Sequence, residues 1–213
     1  MKLGKLIVVV FNLFLISSFL ATANAKLIDN EDGTVTQIRN DGSSLMWLKD
    51  ANYSKTSGYT EDSYMTWDQA QEWIASLNRN NYLGYNDWRL PATLPVNGIK
   101  YVTFGDNYNG SVDHGYNITN PNSELAYMFY TELDNKGHYD TDGELQTDFG
   151  LKNRGPFKFK YIGHYWSGNT SNIKNTSNAW AFTTYAGIQA LNSQNNPIGG
   201  AWAVRDVEVP PDQ

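Results

Sequence analysis

An export signal on a chain without a single cysteine is the feature that most constrains the fold. Two lysines precede a mostly apolar, uncharged run from Leu6 to Leu20, and Ala23–Ala25 supplies an A-x-A cleavage site. Together these form the layout of a secretory signal peptide. The run is shorter than the roughly 20 residues that a membrane-spanning helix needs. We therefore expect cleavage after Ala25 and a mature domain of residues 26–213.

Because it has no cysteine, the exported chain has no disulfides, thiolate metal ligands or thiol nucleophiles. Packing must stabilise the fold instead, and aromatic residues make up 14% of the chain, with seven tryptophans. The mature chain would have 213 − 25 = 188 residues, enough for one domain with a sizeable core. The lack of disulfides and the short signal favour a bacterial protein that is secreted, periplasmic or held in the cell envelope.

The charge of the mature chain limits the classes of partner that it can bind. The signal contains two of the 16 basic residues, so 14 remain against 22 acidic residues, a net charge of −8. Nucleic-acid binding needs a basic surface that neutralises phosphates, so we expect no nucleic-acid partner. Because no second apolar run of spanning length follows the signal, we also expect no stable membrane insertion after cleavage.

The start of the mature chain has the pattern of a β-hairpin. Leu27–Ile38 combines an Asp-Gly turn with an alternating β-branched run, and Ser44–Leu48 has the pattern of the partner strand. Asp29, Glu31 and Asp32 could instead bind calcium, but the full spacing that ends in a bidentate glutamate is missing. A plain turn is the favoured interpretation.

Two helices are predicted, and the clearer one covers Met65–Asn78. Thr66 and Gln69 fit a capping box, and apolar residues spaced i, i+3, i+4, i+7 form one face. These apolar residues are Ala70, Trp73, Ile74 and Leu77. The second helix is predicted over Ser123–Asn135, with a buried stripe made of Leu125, Met128, Phe129 and Leu133.

The rest of the chain divides into short strands and long polar stretches. Strands are predicted at His164–Gly168, Ala179–Tyr185 and Gly200–Asp206. The polar stretches, at about residues 97–122 and 134–155, show no regular periodicity. Stretches of that length are usually functional loops or disordered segments, so we expect inserted loops that carry the function.

Several short motifs follow one another in a characteristic order: “DNEDGTVT”, “LMWLKDA”, “MTWDQAQEWIASLN”, “DWRLP”, “YWSG”, “AW” and “AWAVRD”. In this order and spacing they resemble the Lcl_C family, the C-terminal domain of the Legionella collagen-like adhesin. The resemblance covers about Leu27 to Asp206. The chain is similar to the longer members of the family, which insert further segments between “WRLP” and “YWSG”.

The resemblance implies an α+β fold. This would be a single C-type lectin-like domain with two main helices, short antiparallel strands and long inserted loops. It also implies surface adhesion, because the namesake domain binds sulfated glycans. The acidic balance of this chain argues against binding a sulfated polyanion, which needs Lys and Arg.

The chain also differs from the longer members of the family at its C-terminus. Many of the longer relatives end in a “VPEP” motif, an apolar helix and a basic tail that sorts them to the envelope. The sequence here ends in “VEVPPDQ”. We therefore do not carry membrane retention over from the resemblance.

The sequence contains no pattern that indicates catalysis. The enzymatic branch of the wider fold depends on cysteine, which this chain lacks. His114, His138 and His164 lack the spacing of metal ligands, and Ser167 lacks the G-x-S-x-G elbow of a nucleophilic serine. We therefore expect no enzymatic activity and no cofactor.

Calcium is the one metal that the sequence leaves open. Asp140, Asp142 and Glu144 crowd around a glycine turn in the second inserted loop, and Ca²⁺ takes six to eight oxygen ligands. C-type lectin-like domains often hold calcium in a long loop. A solvated acidic loop needs no metal, and it is the favoured interpretation.

The segment “GYNDWRLP” combines a carboxylate, an indole and a guanidinium, but its alternation favours structure over chemistry. On a strand, Trp88 and Leu90 face one side and Arg89 the other. We expect Trp88 in the core and Arg89 either paired with a carboxylate, for which Asp87 is a candidate, or capping backbone carbonyls. The motif residues predicted to be structural are Trp47, Trp67, Trp73, Trp88, Arg89, Pro91, Trp166, Trp180, Trp202 and Arg205.

The sequence favours a binding or adhesion module, with carbohydrate as the first ligand class and a cell-surface or matrix protein as the second. Aromatic rings stack on sugar faces and amides bond hydroxyls. The candidate ligand-binding residues are therefore Tyr108, Asn109, Tyr116 and Asn117 in the first inserted loop. Two alternatives stay open: an envelope hydrolase or lyase that acts on carbohydrate through loop carboxylates, and a purely structural matrix component.

The export signal makes a prediction about the mature N-terminus. Because the A-x-A site ends at Ala25, the exported protein should begin at Lys26. Intact-mass measurement of the protein recovered outside the cytoplasm checks this. A mass that includes Met1 would contradict the prediction.

Overall fold

This computed structural model describes residues 26–160, 163–171 and 177–207. Within them the chain forms two four-stranded sheets and a few helices. The predicted signal segment lies outside the described residues. The strands are β1 (Lys26–Asp29), β2 (Thr34–Ile38), β3 (Ser44–Leu48), β4 (His164–Thr170), β5 (Asn178–Thr183), β6 (Ile188–Ser193), β7 (Gly199–Gly200) and β8 (Val204–Val207). The helices are α1 (Tyr53–Thr56), α2 (Trp67–Arg79), a 3₁₀ turn (Tyr82–Gly84), α3 (Glu124–Tyr127) and a π-helical turn (Met128–Glu132). The α+β prediction is confirmed, with β-structure dominant.

The first sheet has the order β1-β2-β3-β8 and is antiparallel throughout. β2 pairs with β3 as predicted, and Gly33 adopts a φ of 95° in the turn before β2. Asp32 Oδ1 accepts a hydrogen bond from the backbone N–H of Thr34, and Asp29 Oδ1 accepts one from Glu31. The carboxylates of this turn therefore hold the turn itself, in agreement with its interpretation as a plain turn.

The second sheet has the order β6-β5-β4-β7, with β4 and β7 parallel and the other pairs antiparallel. β4 and β5 were predicted, whereas β6 was not, because its alternation is weakened by polar residues on both faces. The predicted strand Gly200–Asp206 is wrong in its extent, since three residues without regular structure, 201–203, separate β7 from β8. The chain thus leaves one sheet at β7 and enters the other at β8.

The predicted first helix is α2. Thr66 accepts from the backbone N–H of Gln69 and the Gln69 side chain accepts from that of Thr66, so the capping box is complete. The predicted apolar face is the buried one: Ala70, Trp73, Ile74 and Leu77.

The predicted second helix, Ser123–Asn135, is wrong in length and type. The α-helical part is only α3, and the chain then widens into the π-helical turn, in which Leu133 N donates to Met128 O. The turn makes tertiary hydrogen bonds: the Tyr130 hydroxyl donates to Gly187 O at 2.6 Å, and Glu132 accepts from the Gln37 side chain. The predicted stripe of Leu125, Met128, Phe129 and Leu133 is nevertheless buried.

Tryptophan organises the core. Six of the seven tryptophans are buried, and Trp67 is partly buried. The Trp202 ring lies 4.6 Å from that of Trp47 and 4.8 Å from that of Phe157, and its indole N–H donates to Leu48 O at 2.7 Å. Since Leu48 is in β3 and Trp202 lies two residues before β8, this indole helps to hold the closing edge of the first sheet.

The segment Asp87–Pro91 is not a strand, because only Arg89 pairs, through two backbone hydrogen bonds with Val204. Trp88 and Leu90 are buried as predicted, and Arg89 binds the Glu124 carboxylate at 2.7 and 2.9 Å. Asp206 on β8 also binds Arg89. Although burial alone would lower the pKa of Arg89, its hydrogen bonds to Glu124 and Asp206 raise it, so the guanidinium stays charged.

The predicted pairing of Asp87 with Arg89 is wrong. Asp87 instead binds Arg205 at 2.7 and 2.9 Å, and the Arg205 guanidinium lies 4.1 Å above the Tyr85 ring. The two side chains point in different directions. The Arg89 guanidinium points towards buried Glu124, while the exposed Asp87 carboxylate points to the surface where Arg205 lies.

Truncation of Trp88 tests the structural role of this segment. Trp88 is 2% exposed, its indole N–H donates to Tyr82 O, and the Asn78 side chain bonds both its backbone N–H and its C=O. We expect Trp88→Ala to lower the free energy of unfolding by about 3–5 kcal/mol, measured by denaturant titration. Tyr59→Ala, at an exposed position, is the control and should change it by less than about 0.5 kcal/mol. A Trp88→Ala protein with wild-type stability would contradict the assignment.

Candidate functional site

The two inserted loops meet at a group of three tyrosines, Tyr108, Tyr116 and Tyr139, here called the tyrosine cluster. The rings of Tyr108 and Tyr116 are nearly parallel, with centroids 6.1 Å apart. The Tyr139 ring lies 5.2 Å from the first and 5.1 Å from the second. The first two tyrosines come from the loop at 97–122 and the third from the loop at 134–155, so the cluster exists only because the loops fold against each other.

Asn117 joins the two loops. Its side-chain amide donates to Tyr108 O at 2.6 Å and to Tyr139 O at 3.0 Å. Asn109 has a local role: its amide donates to the Asp106 carboxylate, and its carbonyl oxygen accepts from the Ser111 N–H. Of the four predicted ligand-binding residues, the structure therefore brings the two tyrosines together, while the two asparagines hold the loop backbone.

The backbone of the first inserted loop packs against itself so closely that two positions require glycine. A Cβ at Gly115 would lie 2.1 Å from Asn107 O, and one at Gly110 would lie 2.2 Å from Asn117 O. Real Cβ atoms do not approach backbone oxygen so closely, and the φ of Gly110, 73°, is also unfavourable for other residues. These glycines fix the spacing of the tyrosine cluster.

The cluster is partly open to solvent. Tyr108 is 37% exposed, and Tyr185, which influences Tyr116 electrostatically, is 52% exposed. Burial raises the pKa of Tyr116, and the neighbouring tyrosines raise it further. Its hydroxyl therefore stays protonated at neutral pH and can both donate and accept hydrogen bonds.

Tyr139 and Tyr185 are not among the ligand-binding residues predicted from the sequence. Tyr139 lies in the acidic stretch that was assessed for calcium, and Tyr185 ends the predicted strand Ala179–Tyr185. Each is next to a turn rich in glycine or acidic residues, but no local pattern shows that two loops distant in the chain will meet. Their proximity to Tyr116 is a tertiary property.

The imidazoles and the candidate serine do not form a catalytic arrangement in the described residues. His164 Nδ1 lies 2.7 Å from Thr183 Oγ1, while Ser167 is fully buried and its Oγ accepts from the Asn169 N–H. His138 stacks on Phe149 with ring centroids 4.3 Å apart. Burial lowers the pKa of His164, so this ring is neutral at physiological pH.

The acidic loop is a tight turn next to the tyrosine cluster. Asp140 Oδ1 accepts from the backbone N–H groups of Asp142 and Glu144, both at 2.9 Å. Within residues 26–160, 163–171 and 177–207, no group of three or more histidine or acidic side chains is placed to hold a metal ion. The Asp140 carboxylate thus stabilises its own turn.

The family described as the Lcl C-terminal domain, Lcl_C, matches residues 36–205. The chain belongs to the Lcl_C family. The match includes the second sheet, most of the first sheet apart from β1, both inserted loops and the tyrosine cluster. A search of curated proteins found no significant match.

Membership gives the protein a coarse biological setting. The Lcl family is associated with adhesins of the bacterial surface. Among the described residues, no helix combines the length and apolar character needed to span a bilayer. At this level, the family agrees with a role in binding or adhesion.

Calcium titration tests the acidic loop. Because the Asp140 carboxylate already serves the turn, we expect Ca²⁺ and Mg²⁺ to change the melting temperature by equal, small amounts through weak screening. Thermal unfolding with each ion at millimolar concentration measures this. A calcium-specific rise of roughly 5–11 °C, as saturating binding would cause, that is lost in an Asp140→Asn, Asp142→Asn variant would establish a calcium site instead.

Proposed function

We propose that this protein is an exported, non-enzymatic binding module of C-type lectin-like type whose tyrosine cluster recognises an uncharged carbohydrate. The observation that carries the proposal is the convergence of Tyr108, Tyr116 and Tyr139 from two loops onto one partly exposed surface. Family membership supports it at the level of binding and adhesion.

The chemistry of the cluster suits a sugar. Aromatic rings offer flat apolar surface together with a polar hydroxyl, which matches a pyranose with its C–H faces and its hydroxyl groups. Tyr185 and Leu145 extend the exposed surface next to the cluster. The net charge of the mature chain disfavours polyanions, so the sugar that we propose carries no sulfate.

The hydrolase alternative requires two carboxylates about 5–10 Å apart in a concave site. The cavity lined by Arg39 and Tyr127 contains a single carboxylate, that of Asp41, and the cleft lined by Gln71 and Asn169 contains none. Binding is therefore the function that we favour. Hydrolysis, or a matrix role without a small ligand, is an outcome of the experiment below.

A glycan array probed with the mature protein tests the proposal. We expect binding to neutral glycans, weakened about tenfold or more in Tyr108→Ala and Tyr116→Ala, because each change removes a stacking ring. Tyr59→Ala, which removes an exposed tyrosine remote in sequence from both loops, is the matched control and should bind normally.

Three results would overturn the proposal. They are binding that survives both tyrosine substitutions, cleavage of a bound glycan, and the absence of binding to any glycan by a folded protein. Circular dichroism and thermal unfolding of each variant distinguish loss of the site from loss of the fold.

A further inference from the structure

Arg39 lies in an unusual electrostatic position. It follows β2, at the turn into β3, where its backbone N–H donates to Ser43 O and its C=O accepts from Gly42. Its side chain is only 12% exposed, and its Nη2 lies 3.3 Å from Glu124 Oε1. Nevertheless, its buried Nε and Nη2 have no hydrogen-bond acceptor within the described part of the chain.

Glu124 cannot satisfy this second guanidinium. Its carboxylate already accepts two hydrogen bonds from Arg89, at 2.7 and 2.9 Å, and one from the Ala92 N–H at 2.7 Å. Buried polar groups without a hydrogen bond are costly, and each such group in a folded protein calls for an explanation. Arg39 therefore has donor capacity that Glu124 does not use.

A cavity of about 220 Å³ opens beside this guanidinium, lined by Arg39, Asn40, Asp41, Pro121 and Tyr127. Tyr127 is otherwise buried, and its hydroxyl has no hydrogen-bond partner among the described residues. Asp41 contributes a carboxylate that already accepts from Ser43 N and Oγ. The residues that line the cavity thus include a cation, a hydroxyl and a carboxylate acceptor.

We propose that this cavity binds a carboxylate flanked by hydroxyl groups, the shared chemistry of small hydroxy acids and uronic acids. The Arg39 guanidinium and the Tyr127 hydroxyl bind the ligand carboxylate. Asp41 accepts a hydrogen bond from a ligand hydroxyl. The cavity is smaller than the roughly 300 Å³ at which drug-sized sites begin, so it accommodates one small acid or one sugar ring.

Local charge selects a monoanion. Two guanidiniums, those of Arg39 and Arg89, are surrounded by four carboxylates: Asp41, Glu124, Glu132 and Asp206. This surplus opposes any anion, so the ligand carboxylate must be held by hydrogen bonds from Arg39 and Tyr127, and a second ligand charge would add repulsion without adding a donor. Sulfate should therefore bind more weakly than a carboxylate. This site is also distinct from the tyrosine cluster, so it does not depend on the function proposed above.

Titration of the mature protein, followed by NMR, tests the proposal. Sodium glucuronate and sodium lactate are the positive ligands, and glucose and sodium sulfate are the comparisons. We expect saturable binding of glucuronate, lactate or both at millimolar concentration, with glucose and sulfate at least about tenfold weaker. Preference for glucuronate would indicate a uronic acid, and equal binding of lactate would indicate a small hydroxy acid.

Matched variants locate the site. Arg39→Gln should weaken glucuronate binding about tenfold or more, and Tyr127→Phe about three- to tenfold, through loss of one hydrogen bond to a charged group. Arg79→Gln, at an exposed arginine, and Tyr59→Ala, at an exposed tyrosine outside both proposed sites, should bind normally. If Arg39→Gln does not fold, Tyr127→Phe and the wild-type comparison of glucuronate with glucose decide. Glucose or sulfate binding as tightly as glucuronate, or a folded Arg39→Gln that binds normally, would overturn the proposal.

Discussion

The indole N–H groups of tryptophan make the hydrogen bonds on which this cysteine-free fold depends. Trp202 donates to Leu48 O across 154 residues, Trp166 to Met65 O across 101, and Trp67 to Ser167 O across 100. A buried indole usually finds a partner for its one donor, and in these three rings a carbonyl distant in the chain fills that role. These tryptophans therefore position distant segments by direction as well as by apolar area.

The inserted loops are likewise held in place by hydrogen bonds to buried polar groups. Gly115 pairs with Gln189 on β6, and the buried Gln189 amide donates to Asp113 O at 2.8 Å. The buried Asp113 carboxylate accepts from the backbone N–H groups of Val96 and Val102. These contacts attach the first inserted loop to the second sheet, and Asn117 then attaches the second loop to the first. The tyrosine cluster is thus presented by a fixed platform, although no helix or strand contributes a ring to it.

Local patterns predicted α2, β2 and β3, because a capping box and the apolar periodicity act within a few residues. The π-helical turn was not predictable, since the Tyr130 hydroxyl bonds Gly187 across 57 residues. Likewise, the composition of the first loop indicated Tyr108 and Tyr116, but the addition of Tyr139 required two loops to meet. The partner of Arg89 was wrong for a related reason: Asp87 is near in sequence, whereas the buried Glu124 is near in space. The sequence was informative where the deciding contact was local.

The bond between Trp202 and Leu48 also has a kinetic consequence. A chain is synthesised from its N-terminus onward, so β1, β2 and β3 are complete long before β8. Until Trp202 and β8 arrive, 154 residues later, the outer edge of β3 has no partner and its apolar residues are uncovered. Unpaired strand edges template aggregation, and long-range pairing of this kind is slow. The first sheet therefore stays open to wrong pairing until its last strand is available.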